Sequence, residues 1–104
     1  MKENIKILVF NKTKINELTI KNRIDEIYGV VYYPYGEIPL FDNVYVIYSK
    51  EATENKDKIF YRNTKINGIE IYGTFIIVAK DKKGFVSLTD EQIKEIKYIF
   101  GRKD

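Results

Sequence analysis

The feature that most constrains the fold is the stretch Val30–Tyr48, with the sequence VVYYPYGEIPLFDNVYVIY. Its two ends, Val30–Tyr35 and Val44–Tyr48, are rich in β-branched and aromatic residues, which predicts two strands. Charged residues make up 32% of the whole chain but are rare in this stretch. We therefore predict a β-hairpin with at least one face buried in the core or against a partner. The predicted connection contains residues that favour turns: Gly36, Pro39 and Asp42-Asn43.

The length of 104 residues predicts a single domain that covers residues 1–104. Its apolar blocks are short and separated by charged residues, a pattern typical of globular proteins. No block approaches the roughly 18 apolar residues that a membrane-spanning helix needs, so we expect no membrane partner. The N-terminal sequence MKENIKILVF has an apolar run too short for a secretory signal, which predicts a cytoplasmic protein.

The composition also excludes several kinds of chemistry. The chain contains no cysteine and no histidine, so it lacks disulfides, thiolate nucleophiles and the usual ligands of zinc, copper and iron. Histidine is the commonest general base near neutral pH, and the sequence matches no phosphate-loop or dinucleotide-binding motif. We therefore predict a non-enzymatic protein without a cofactor.

The first part of the chain predicts a hairpin followed by a short helix. The apolar run Ile5–Phe10 is typical of a strand covered on both faces, so we place it centrally in the sheet. The segment Ile15–Ile20 alternates apolar and polar residues, as a strand with one solvated face does. Within Lys21–Tyr28 the apolar residues recur at helical spacing, which predicts a helix of about two turns. Asn22 is its predicted N-cap and Gly29 its predicted C′ residue.

The second half of the chain contains strand and turn signals around a charged segment. Ser49–Lys58 is almost free of large apolar residues and predicts a solvated loop. Beyond it, Ile59-Phe60-Tyr61 predicts a short edge strand, and Asn67-Gly68 predicts a type I′ hairpin turn. We predict one strand over Ile69–Lys80 that pairs with the first strand of the chain. Gly73 inside it suggests a β-bulge or a close backbone approach.

The C-terminal segment predicts a helix. Thr89 and Gln92 match a capping box, and Leu88 and Ile93 match a hydrophobic staple. Gly101 is the predicted C′ residue. Together the elements predict an α+β domain, built from a mostly antiparallel sheet of about five strands, a short helix after strand two and a C-terminal helix packed on one face. The predicted apolar stripe of that last helix consists of Ile93, Ile96, Ile99 and Phe100.

Five stretches of the chain, in order, resemble domain-of-unknown-function family 3846, a family of small bacterial and phage proteins. They are IKILVF, the short helix ending in IYG, PLFDNVYVIYSKE, IYGTFIIVAK and FVSLTDEQIKEIKYIF. Members of the family usually carry a proline-asparagine-arginine signature after the loop, where this chain has Tyr61-Arg62-Asn63. The resemblance implies no activity. It implies a setting in phages, prophages and mobile elements, where small domains often bind and block host machinery.

Three tyrosines of the predicted hairpin are candidate partner-binding residues. Alternation along a strand places Tyr33 and Tyr35 on one face and Tyr32 on the other. If Tyr33 and Tyr35 face solvent, they form an aromatic platform that can stack a base or anchor a protein. The alternative is that these rings pack in the core or at its rim.

Basic residues form two groups, and either group can neutralise phosphates. Acidic residues are interspersed in both, which is typical of a mixed solvated surface. From the first group, Lys58, Arg62 and Lys65 join the tyrosines as candidate partner-binding residues. The first group is Lys56, Lys58, Arg62 and Lys65, and the second is Lys80, Lys82 and Lys83.

Our leading hypothesis is a phage or mobile-element protein that binds and inhibits a host protein, with a nucleic-acid-handling defence effector such as a CRISPR effector as the expected target. The aromatic hairpin edge is also a surface for a homodimer. Two further hypotheses stay open: a nucleic-acid-binding module that stacks bases on Tyr33 and Tyr35, and a sponge for a nucleotide signal of host immunity held by Arg62 and a tyrosine. The net charge of only +3 makes nucleic acid the less favoured partner.

Overall fold

The computed structural model of the chain describes residues 4–11, 14–31, 33–55 and 62–101. These residues form antiparallel strands and short helices, the last helix at the C-terminal end, so the predicted α+β class is confirmed. The described elements are β1 (Asn4–Phe10), β2 (Ile15–Lys21), α1 (Ile24–Tyr28), β3 (Tyr35–Phe41), β4 (Val44–Ser49), α2 (Lys50–Asn55), β5 (Arg62–Ile66), β6 (Ile69–Tyr72), β7 (Phe75–Asp81), β8 (Gly84–Val86) and α3 (Asp90–Phe100).

The main sheet has six strands in the order β2-β1-β7-β4-β3, with the short β8 paired to β7. Central β7 is buried from Phe75 to Ala79, as its uninterrupted apolar run requires. β1 lies between β2 and β7 and pairs antiparallel with both. The predicted interior position of the first strand and its pairing with the second apolar run are therefore confirmed. β5 and β6 form a separate two-stranded sheet.

The sheet separates two hydrophobic clusters, because successive residues of each strand point to opposite faces. We call one side the helix face, where α3 and the β5–β6 hairpin contribute Ile66, Ile71, Ile93 and Ile96 to the cluster. We call the other the tyrosine face, where Ile27 of α1 and Val31 after it complete the cluster. The sheet residues of the helix face include Leu8, Phe10, Val46, Phe75 and Ile77, and those of the tyrosine face are Ile5, Ile7, Val9, Ile47, Ile76 and Val78.

The C-terminal helix α3 begins and ends where the sequence predicts. The Thr89 hydroxyl accepts a hydrogen bond from the Gln92 backbone N–H at 3.1 Å, and the Gln92 side-chain oxygen accepts one from the Thr89 N–H at 2.9 Å. Gly101 ends the helix in the left-handed conformation with φ 64°. The predicted stripe needs one correction, since Ile99 is 47% exposed while Ile93 and Ile96 are buried.

The central hairpin starts later than predicted. Its first strand, β3, begins at Tyr35, the residue at which we expected it to end, and it includes Gly36 and Pro39. Gly36 is required inside the strand because a Cβ at this position would collide with the ring of its cross-strand partner Tyr48. Pro39 is compatible with a strand at the edge of a sheet, where one row of N–H groups has no strand partner. The turn consists of Asp42 and Asn43 alone.

The predicted solvated loop Ser49–Lys58 is wrong from Ser49 to Asn55, which form the end of β4 and helix α2, and its last three residues lie outside the described residues. Ser49 begins this helix, because its hydroxyl accepts a hydrogen bond from the Ala52 N–H at 3.0 Å. Ala52 and Thr53 are buried, and the Thr53 hydroxyl accepts a bond from the Tyr72 N–H at 3.2 Å. Small residues allow this helix to pack against β6, although its composition is polar. The predicted strand Ile59-Phe60-Tyr61 lies outside the described residues.

The predicted N-cap of α1 is wrong, whereas Gly29 does end the helix as predicted. Arg23 occupies the N-cap position and makes no side-chain capping bond, while Asn22 donates from Nδ2 to the Phe85 carbonyl oxygen at 3.0 Å. Gly29 has φ −64°, an ordinary right-handed value. Asn22 therefore links the start of α1 to β8 instead of capping the helix.

The predicted strand Ile69–Lys80 divides at Gly73, which has φ 81°. β6 pairs with β5 in the small sheet, and β7 lies in the main sheet. Asn63 fastens the two sheets together at this point, since its Nδ2 donates to the carbonyl oxygens of Gly73 at 3.0 Å and Phe10 at 3.1 Å. The predicted Asn67-Gly68 turn is confirmed, with φ values of 49° and 83° that suit a type I′ turn.

Candidate partner-binding surface

A row of four aromatic rings lies along one end of the tyrosine face. Tyr33 and Tyr35 meet edge to face, with ring centroids 5.5 Å apart. The Tyr35 ring lies 4.6 Å from that of Tyr28, and the Tyr28 ring lies 5.9 Å from that of Phe85. These spacings fall in the range in which aromatic pairs attract each other. The residues come from β3 and the segment before it, from the end of α1 and from β8, so the tertiary structure assembles the row.

The rings of this row differ in their exposure. Tyr33 is 77% exposed, whereas Tyr28, Tyr35 and Phe85 are half-buried and pack against the hydrophobic cluster of the tyrosine face. The row therefore presents one ring almost entirely to solvent on a base of rings that are held in place. We define the partner-binding surface as Tyr28, Tyr33, Tyr35 and Phe85, with Tyr45 beside them.

A compact ion pair adjoins these rings. Lys80 Nζ lies 2.6 Å from a Glu37 carboxylate oxygen and 4.5 Å from the centre of the Tyr45 ring. The pKa of Tyr28 is raised above its ordinary value, first by burial and then by the negative charge of Glu37, while Lys80 acts in the opposite direction. Tyr28 is therefore neutral at physiological pH, and the cation that lies over the Tyr45 ring is paired with a carboxylate.

The profile of the family described as "Domain of unknown function (DUF3846)" matches residues 5–101. This chain belongs to the DUF3846 family. No curated protein and no solved structure matches the chain. Within the part of the chain that the structure describes, no helix is long and apolar enough to cross a membrane.

In this DUF3846 protein the predicted site residues are only partly brought together. Tyr33 and Tyr35 share one surface, as predicted, but Tyr33 precedes β3, so strand alternation is not what unites them. Tyr35 is half-buried. Its ring packs at the rim of the core and is also partly exposed, so the two interpretations that the sequence left open, core packing and a binding surface, both apply in part. Tyr32, Lys58 and the side chain of Arg62 lie outside the described residues.

Lys65 lies on the opposite side of the sheet from the tyrosines. It belongs to the β5–β6 hairpin, which packs on the helix face through Ile66 and Ile71. Lys65 is exposed and borders a shallow cleft of about 270 Å³ with Leu40 and Phe100. The structure therefore does not bring Lys65 together with Tyr33 and Tyr35, because the β5–β6 hairpin packs on the other face of the sheet.

A second shallow cleft, of about 350 Å³, lies between the β3–β4 turn and α3. Its lining is acidic and includes Asp42, Glu91 and Glu95. Among residues 4–11, 14–31, 33–55 and 62–101 there is no group of three acidic side chains placed to hold a metal ion. Neither cleft contains a residue of the partner-binding surface.

Sequence reasoning missed three members of this surface. Tyr45 lies opposite Pro39 across the β3–β4 pair, so it shares the face of Tyr35 and Glu37. Alternation along β4 could have revealed it. Tyr28 and Phe85 reach the surface from distant parts of the chain, and no local pattern connects them with Tyr35.

Proposed function

We propose that this DUF3846 protein is a non-enzymatic binding protein of phage or mobile-element origin that inhibits a host protein in the host cytoplasm. The observation that carries the proposal is the 77% exposure of Tyr33 on a base of packed aromatic rings. A large ring that is held in place loses little conformational entropy when a partner covers it. Such residues often contribute most of the binding energy of an interface.

The charges around the tyrosines favour a protein partner over a nucleic acid. Lys80, which contacts the Tyr45 ring, is neutralised by Glu37 at 2.6 Å. Lys65 lies across the sheet. A protein that binds a nucleic acid strand usually provides several cations beside its stacking rings. A protein surface needs only apolar area with a polar rim.

The expected target is a component of a host defence system, such as a CRISPR effector. The setting in phages and mobile elements that the resemblance implies is our reason for this choice, together with the small size of the chain. An inhibitor of this kind needs to cover a functional surface of its target and needs no chemistry of its own. The absence of histidine and cysteine from the sequence is compatible with that role.

A pull-down with a matched tyrosine control tests the proposal. Tagged wild type, Tyr33→Ala and Tyr98→Ala are used as baits in a bacterial lysate, and bound proteins are quantified by mass spectrometry. Tyr98 is 84% exposed on α3, so Tyr98→Ala removes a comparable ring outside the partner-binding surface. We expect one host protein to be retained by the wild type and Tyr98→Ala and to fall about tenfold or more with Tyr33→Ala. Retention of no host protein above background, or equal retention by all three baits, would falsify the proposal.

Nucleic-acid binding is the second candidate, because an exposed tyrosine ring can stack a base. Titration with single-stranded DNA at two salt concentrations distinguishes nucleic-acid binding from binding to a host protein. Binding through phosphates weakens steeply as salt rises, since counterions are released when the complex forms. Affinity that falls with salt and is lost in Tyr33→Ala would favour the nucleic-acid module. Affinity that is absent or independent of salt would reject it.

A further inference from the structure

The two outer strands at the ends of the six-stranded sheet differ in how they are protected against pairing. β3 contains Pro39, and its pairing with β4 is irregular between Pro39 and Phe41. β2 pairs with β1 in an unbroken register from Ile15 to Lys21 and contains neither a proline nor a bulge. Prolines and bulges are common devices that prevent an edge strand from pairing with another chain. By this criterion β2 is the open edge and β3 the protected one.

The open edge of β2 is accessible. Among the described strands, β2 is hydrogen-bonded to β1 alone, and its residues from Asn16 to Thr19 are exposed. Leu18 is 36% exposed, and Ile24 at the start of the adjacent α1 is 68% exposed. Within the part of the chain that the structure describes, the outer edge of β2 therefore has no strand partner and lies next to exposed apolar side chains.

The side chains of β2 are complementary to a second copy of the same strand. We propose that β2 pairs antiparallel with β2 of a second copy of this chain, about a two-fold axis at Thr19. In this register Thr19 faces its own counterpart, Leu18 faces Ile20 of the second copy, and Glu17 faces Lys21 of the second copy. Thr–Thr, apolar and opposite-charge pairs all stabilise neighbouring strands. Because of the two-fold axis, the Leu18–Ile20 contact and the Glu17–Lys21 contact each occur twice.

Two other registers are less favourable. An axis at Glu17 places like charges directly opposite each other, which destabilises a strand pair. An axis at Leu18 pairs Lys21 with the buried Ile15 and separates Glu17 from Lys21 of the second copy. Charged residues often protect an edge strand, but in the register centred on Thr19 the charges of β2 attract a second copy. This inference does not depend on the tyrosines or on the proposed inhibition.

Charge reversal in two separate variants tests the pairing. The dissociation constant of the dimer is measured by sedimentation over a range of concentrations for wild type, Lys21→Glu, Glu17→Lys and an equimolar mixture of the two variants. Each variant alone places like charges opposite each other twice, so we expect dimerisation to weaken roughly tenfold or more. The mixture restores both opposite-charge pairs and should recover a heterodimer of wild-type strength.

The mixture also controls for changes within one copy. Glu17 lies 3.7 Å from Lys6 and 3.4 Å from Lys97, so Glu17→Lys loses two ion pairs of its own. A general destabilisation of that variant would not be repaired by mixing. A wild type that stays monomeric at all concentrations overturns the proposal, and so does a mixture that dimerises no better than the separate variants.

Cross-linking tests the register without relying on affinity. The chain has no cysteine, so Thr19→Cys introduces a single thiol at the proposed axis. Residues directly opposite on antiparallel strands have Cβ atoms roughly 4.5–5.5 Å apart, close to the range of a disulfide. Under mild oxidation we expect Thr19→Cys to form a covalent dimer. Ile69→Cys is the matched control, because Ile69 is also an exposed strand residue, at 36%, but lies in the two-stranded sheet. Equal dimer yields from both variants would reject the pairing.

Discussion

The helix face and the tyrosine face are built from alternate residues of the same strands, yet they are closed in different ways. On the helix face the Phe10 ring stacks on Phe75 at 4.6 Å and meets Phe100 of α3 at 4.9 Å. An eleven-residue helix and a hairpin complete that core. The tyrosine face is closed by the five-residue α1 and ends in the exposed Tyr33. The helix face therefore buries its aromatic rings, whereas the tyrosine face leaves aromatic area exposed, and this exposed area is where we propose that a partner binds.

The largest expected effect is on the helix face. Phe75 is fully buried and its ring contacts Phe10. Phe75→Ala should lower the free energy of unfolding by about 3–5 kcal/mol, as large core truncations do. The total free energy of unfolding of a small domain is only about 5–15 kcal/mol, so this variant should be close to unfolding. The measurement is the denaturant midpoint against wild type. A loss below about 1 kcal/mol would mean that the helix face is not the main source of stability.

A smaller and graded effect is expected along the tyrosine face. Tyr35 is half-buried between Tyr28 and Tyr33, so Tyr35→Ala should cost about 1–3 kcal/mol. Tyr33→Ala should stay within about 0.5 kcal/mol, because its ring is exposed. Tyr33→Ala should nonetheless weaken partner binding in the pull-down. The two variants are compared by urea unfolding, with Tyr98→Ala as the exposed control. If Tyr33→Ala destabilises the fold as much as Tyr35→Ala, the division between a stabilising and a binding face is wrong.

The smallest effect concerns alkaline pH and includes one tyrosine from each face. Burial raises the pKa of Tyr28 and of Tyr48 above the ordinary value of 10.0, and the nearby carboxylates of Glu37 and Glu54 raise them further. The unfolded chain therefore loses these protons at lower pH than the folded chain does. Their contribution to stability is fully present below about pH 10 and falls as the pH rises through the raised pKa of the folded state.

Thermal unfolding measured between pH 8 and pH 11 tests this prediction. The melting temperature of the wild type should decline above about pH 10. Tyr28→Phe and Tyr48→Phe should each make the decline less steep, because neither ring then has a proton to lose. Tyr33→Phe is the control, since it removes a hydroxyl from a tyrosine whose ring is exposed. A decline that is the same in all four proteins would exclude the two buried tyrosines as its cause.

The cap of α3, the β5–β6 turn and the interior strands were predicted correctly, because each follows from residues that are close in sequence. The capping box at Thr89 and Gln92 determines the start of α3 through hydrogen bonds between near neighbours. Asn67-Gly68 permits the positive φ values of a tight hairpin turn. The near-continuous apolar run of β1 and the uninterrupted one of β7 are typical of strands buried on both faces, and both strands lie in the interior of the sheet.

The positions of the other elements depend on distant residues. α2 was interpreted as a loop because its polar composition does not reveal that Ala52 and Thr53 are buried and that Thr53 bonds to Tyr72. Gly36 looked like part of a turn, but in the structure it provides space for the Tyr48 ring. Asn22 looked like a helix cap but donates to Phe85. In each case the contacting residue is distant in sequence or lies on the neighbouring strand, so a local sequence pattern cannot predict the contact.

The sequence by itself determined the α+β class, the interior strands and the C-terminal helix, since these follow from hydrophobic periodicity and short-range hydrogen bonds. Only the tertiary structure decided that Tyr28, Tyr33, Tyr35 and Phe85 form one row and that Lys65 lies across the sheet from it. The chain bends at Gly73, where φ is 81°, and β5 and β6, which precede this bend, pack on the helix face. Which side chains share a surface depends on how strands from different parts of the chain pair, and pairing is a property of the whole fold.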